Sequence, residues 1–148
     1  MSLVDELIKI LHGSKYSILT FYLKDVLIVT VIFTENKDAV IITDNMCYKV
    51  PYNGVVNSFV SEVYNMLVYS GVDELVRKSK GSSIEFDSEP YLYGEITQNM
   101  LFIEQDADID DMGEGITISK RYGITAISEV TSRTLAEVIG AFAYQNFS

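Results

Sequence analysis

Apolar and polar positions alternate along this chain with two different periods. Leu3, Leu7, Ile10 and Leu11 recur at helical spacing, and Ser2 with Asp5 three residues on makes a capping-box-like start, so a first helix is predicted over 3–12. Gly13 ends it. Tyr16 to Leu23 and Val26 to Thr34 are rich in aromatic and β-branched residues and predict two strands joined tightly at Lys24-Asp25. The turn residues Asn36-Lys37-Asp38 and Asp44-Asn45 delimit a third strand, Ala39 to Thr43, and a short fourth ending at Pro51, which completes an antiparallel meander. Val56, Phe59, Val60, Val63, Tyr64 and Leu67 then share one wide helical face. This central helix is predicted over 55–78, with a break at Gly71 and a restart where Ser70 and Asp73 repeat the capping spacing.

After the basic run Arg77-Lys78-Ser79-Lys80 the period returns to two. Strands are predicted over Ser83 to Phe86, Tyr91 to Ile96 and Met100 to Ile103, followed by an acidic loop from Asp106 to Asp111. Gly115 to Ser119 and Gly123 to Ser128 resemble one another across Lys120-Arg121-Tyr122 and read as a hairpin. Leu135, Val138, Ile139 and Phe142 mark a last helix over 132–145, capped by Thr131 or Ser132. The expected fold class is α+β, an antiparallel sheet with helices packed on it in the order α-β(3-4)-α-β(4-5)-α. No linker or low-complexity segment interrupts 1–148, so a single domain is expected. In outline this element order resembles the class I chaperones of type III secretion and, more loosely, roadblock-like adaptor domains. The likeness is one of architecture, which does not carry function.

Composition narrows the class. At 148 residues a domain buries roughly 70% of the surface its unfolded chain exposes. With 48% hydrophobic residues, an intrinsically disordered chain is excluded. The single cysteine, Cys47, excludes an intrachain disulfide and a cysteine-based zinc or iron–sulfur cluster, and fits a reducing compartment. The start Met-Ser-Leu-Val-Asp-Glu lacks a basic and apolar leader. The longest apolar run, Val26 to Phe33, is far short of the roughly 20 residues that span a bilayer. A cytoplasmic protein without membrane contact is therefore expected.

Charge changes the picture most. Residues 1–80 hold nine acids and eight bases, whereas residues 81–148 hold twelve acids and three bases. Ten acids and no Lys or Arg lie between Glu85 and Glu114. Such a surface repels nucleic-acid phosphates and attracts basic partners or cations, so direct nucleic-acid binding is not expected.

Candidate chemistry is sparse. Asp106, Asp108 and Asp110 match the first three ligand positions of a calcium loop, but Asp111 stands where that loop needs glycine and Thr117 where it needs a bidentate Glu. Calcium or magnesium is thus only a weak candidate ligand, and no cofactor is expected. Asp25, Glu35 and Lys37 follow the order of a metal-nuclease motif, yet an intervening strand of about ten steps separates Asp25 from Glu35 by roughly 33 Å. The lone His12 reads as a helix-end residue and Cys47 as a buried structural thiol rather than as a nucleophile pair. The chain has no G-x-S-x-G and no P-loop. Of ten tyrosines, Tyr64, Tyr69, Tyr91 and Tyr93 lie near or within the acidic half, where tyrosine suits an interface; most of the ten read as core or strand-face residues.

These readings point to a non-enzymatic protein-binding module of adaptor, chaperone, immunity or inhibitor type. Glu104, Asp106, Asp108, Asp110, Asp111 and Glu114 are the expected contacts to a basic protein partner, with mimicry of nucleic acid as the sharpest form. The alternative is a divalent-metal-dependent enzyme using the acids of 104–114. Homo-oligomerisation is left open by the sequence.

Overall fold

The computed structural model describes residues 2–79, 82–97, 100–108, 117–124 and 130–148. Helix α1 (Leu3–Ile10) begins where expected, with the Ser2 hydroxyl accepting the Asp5 amide at 3.2 Å. A first meander follows: β1 (Ile18–Leu23), β2 (Val26–Phe33), β3 (Asp38–Ile42) and β4 (Cys47–Pro51). The turn joining β1 and β2 places Lys24 and Asp25 at positive φ, 51° and 64°. Helix α2 (Val56–Tyr69) ends at Ser70, and Gly71, at φ 89°, turns the chain into α3 (Val72–Lys78). That left-handed conformation favours glycine, so the predicted break falls where the backbone needs it.

A second meander contains β5 (Ile84–Glu89), β6 (Leu92–Thr97), β7 (Met100–Asp108) and β8 (Thr117–Ile124), and α4 (Ser132–Phe147) closes the chain. The eight strands of the described residues form one antiparallel sheet in the order β4-β3-β2-β1-β5-β6-β7-β8. The first strands of the two meanders meet at the centre, where Phe21 of β1 is the register partner of Phe86 of β5 and their rings lie 5.5 Å apart.

Alternation along the strands decides which face is covered. Leu19, Phe21, Val29, Val31, Phe86 and Ile103 turn inward and join the helices in one buried core. Phe142 of α4 is its hub, 4.8 Å from Tyr16 and 6.4 Å from both Phe33 and Phe86. Two glycines let the layers close: a Cβ on Gly140 would overlap Val60 of α2, and one on Gly94 of β6 would overlap the Phe86 ring. The buried carboxylate of Asp73 accepts the Ser132 hydroxyl and pairs with Arg77 at 2.6 Å, tying α3 to the start of α4. Among the described residues no helix is long and apolar enough to cross a membrane.

Three expectations are corrected. Lys120-Arg121-Tyr122 is not a turn but the middle of β8, paired with Gln105, Glu104 and Ile103. The tripeptide lacks a turn former, and the long strand β7 supplies each of its residues with a partner, so ladder bonds override the local resemblance. Asp106 and Asp108 do not belong to a loop, because β7 continues through both and pairs them with Ser119 and Thr117. Cys47 is exposed rather than buried, since it opens the edge strand β4.

Candidate functional site

The face of the sheet opposite the helices carries the chemistry. Outward positions on β5 are Glu85, Asp87 and Glu89; on β6 they are Tyr93, Glu95 and Thr97; on β7 they include Phe102 and Glu104. These residues line up in cross-strand rows. Tyr22, Glu85, Glu95 and Phe102 form one row, and Thr20, Asp87, Tyr93, Glu104 and Arg121 form the next. Partners within a row have Cβ atoms about 5 Å apart, and rows repeat every second residue, about 7 Å along the strands. Five carboxylates thus share three adjacent strands.

Tyr93 sits at the centre of this group and registers its field. Its hydroxyl donates to Glu85, and its pKa is pushed up to about 12, first by partial burial and then by the negative charge of Glu85, Glu95 and Glu104. Two neighbours temper the charge. Thr20 donates its hydroxyl to the Asp87 carboxylate, and the Arg121 guanidinium lies 4.4 Å from the centroid of the Phe102 ring at the edge of the acidic rows. Glu85 and Glu95 are direct register partners, an arrangement of like charges that opposes folding.

Of the residues expected to engage a partner, Glu104 is half-buried within this group. Asp106 and Asp108 are placed by backbone register, two and four positions further along β7. Asp110, Asp111 and Glu114 lie outside the described residues. Glu85, Asp87, Glu89 and Glu95 were not among the expected contacts, although acids at alternate positions of β5, Glu85, Asp87 and Glu89, signal a charged strand face. Among the described residues no three His, Cys, Asp or Glu side chains are grouped so that they could hold a metal ion.

The remaining candidates lie elsewhere. Asp25 and Glu35 flank opposite ends of β2, as the nuclease argument required. His12 is exposed just past the end of α1, and Cys47 stands on an edge strand. Only Tyr16 and Tyr52 of the ten tyrosines are buried, whereas Tyr69 and Tyr91 are 82% and 59% exposed. Tyr22, Tyr48, Tyr93 and Tyr122 lie on strands, so most of the ten are core or strand-face residues, as expected. No family model, curated protein or solved structure matches the chain.

Proposed function

We propose that this chain is a non-enzymatic protein-binding module whose acidic sheet face engages a basic surface on another protein. One observation carries the reading: Glu85, Asp87, Glu89, Glu95 and Glu104 project from three adjacent strands on the face that the helices leave open. Holding like charges together on a rigid sheet costs stability, and a partner that brings Lys or Arg recovers that cost on binding. Such a field also raises the rate of encounter with a basic partner.

The test compares the wild-type chain with Glu85→Gln/Glu95→Gln/Glu104→Gln, each immobilised and exposed to an extract of its source cells. A basic protein should be retained by the wild type and lost from the variant. Its release should follow ionic strength, as the Debye length shortens from about 30 Å at 0.01 M to about 8 Å at 0.15 M. Equal retention by both chains, independent of salt, would sink the proposal. Displacement of the partner by duplex DNA would identify the mimicry form of this reading. Calorimetry with calcium, magnesium and manganese addresses the enzyme alternative: a saturable site lost with the acids of 104–114 would move support to metal chemistry.

A further inference from the structure

The open face is not uniformly acidic. On the β1–β2 side of the central seam its outward residues are apolar at both ends, Ile18 and Ile32 at one and Tyr22 and Leu27 at the other, with Thr20 and Thr30 between them; Leu27 and Ile32 are 46% and 36% exposed. On the β5–β6 side they are Glu85, Asp87, Glu89 and Glu95, with Tyr93. The boundary between the two runs along the β1–β5 pair, where Tyr22 lies opposite Glu85, Thr20 opposite Asp87 and Ile18 opposite Glu89. A strip apolar at both ends and an acidic strip therefore lie side by side, both parallel to the strands.

We infer that this seam receives an amphipathic helix of another protein, with its apolar side over β1–β2 and a flank of Lys or Arg over β5–β6. The inference rests on reading the acidic face as the partner surface, and it adds the shape of what binds there. A helix about 10–12 Å across seated on the β1–β5 seam covers both seam strands, and β2 and β6, each about 7 Å from the seam, lie under its two flanks. Each seam strand is six residues long, about 20 Å, a length that matches about 13 helical residues. An apolar helix without bases would leave the carboxylates facing it desolvated and unpaired, and an unstructured basic segment would leave Leu27 and Ile32 uncovered. A second copy of this chain brings a net charge of −10 and is repelled by the same carboxylates.

The experiment uses the full chain and two fluorescently labelled peptides of about 14 residues with the same Leu and Lys content. In one the leucines fall at i, i+3, i+4 and i+7 with lysines along one flank; in the other the order is scrambled so that no amphipathic helix forms. Fluorescence anisotropy should show the amphipathic peptide binding about tenfold more tightly than the scrambled one, with a gain of helical circular dichroism on binding. Its affinity should fall about tenfold for Leu27→Gln/Ile32→Gln and again for Glu85→Gln/Glu95→Gln. Both double variants alter exposed or half-buried outward positions, and a single cooperative thermal transition confirms that each is folded. Equal binding of the two peptides, weakened only by the Glu variants, would overturn the helix inference while leaving the acidic-face reading standing. Absence of binding by either peptide would overturn the helix inference, whereas the acidic-face reading stands or falls on retention of a basic protein by the wild type and its loss from the Glu variant. Dimerisation of the chain, seen by sedimentation and abolished by Leu27→Gln/Ile32→Gln, would assign the seam to a second copy and overturn the helix.

Discussion

The two meanders follow the same plan and differ on their outward faces. Each consists of four antiparallel strands followed by a helix, and each starts with a strand at the centre of the sheet. Their inward faces are interchangeable in kind, as the pairing of Phe21 with Phe86 shows. Their outward faces are not. The first meander shows Ile32 and Ile42 to solvent, whereas the second shows Glu85, Asp87 and Glu95 at comparable positions. The difference teaches where the demands of stability stop: the core dictates one side of each strand, and the other side is free to carry a chemistry of its own.

The largest effects should come from breaking what the halves share. Val63, fully buried on α2, faces the common core, and Val63→Asp should cost about 4 kcal/mol by placing an unpaired charge there. Gly94→Val enters from the second meander, where any Cβ collides with the Phe86 ring that also meets Phe21 and Phe142, and should cost about 3 kcal/mol. Urea denaturation followed by circular dichroism reads both. An unchanged midpoint for Val63→Asp would place this helix face in solvent, and a Gly94→Val variant that melts in two steps would show that the meanders unfold separately.

A smaller effect should separate the outward faces. Glu85 directly opposes Glu95, so Glu85→Gln/Glu95→Gln/Glu104→Gln should raise stability by about 0.5–1 kcal/mol at low salt. That gain should shrink as salt screens the wild-type repulsion. Leu27→Gln/Ile32→Gln in the first meander should show no such salt dependence. Equal salt sensitivity of the two variants would mean that the carboxylates do not repel one another across the strands.

The same contrast explains what could be read from the chain. Helix ends were legible because their signals are local: Ser2 caps α1 and Gly71 breaks α2 from α3 through their own backbone geometry. The hairpin assigned across Lys120-Arg121-Tyr122 failed because pairing with β7 is a long-range fact that no short window contains. Cys47 looked buried because an apolar strand was expected around it, and edge position is decided by strand order. The acids were legible as a count but not as a surface. Glu85, Glu95 and Glu104 become neighbours only once the β5–β6 and β6–β7 registers are set, and Tyr93 acquires its role only from that convergence.

Tyr93 offers the finest probe of the acidic face. Its pKa is displaced from 10.0 to about 12, and burial and the surrounding carboxylates all act to keep it protonated. The folded pKa lies above the unfolded value, so its contribution to stability is fully present below pH 10 and is lost as pH rises through about 12. The difference in phenolate absorbance between the wild type and Tyr93→Phe isolates this one group. In the wild type the difference should titrate with a midpoint near 12. In a Glu85→Gln/Glu95→Gln/Glu104→Gln background the midpoint should move down toward 10.0, stopping short because partial burial remains. Tyr22, on the neighbouring seam strand, leaves the comparison unaffected because it is present in both chains of the pair. A midpoint that stays near 12 after the three carboxylates are neutralised would show that burial alone raises it, and that the negative field at the centre of the second meander is weak.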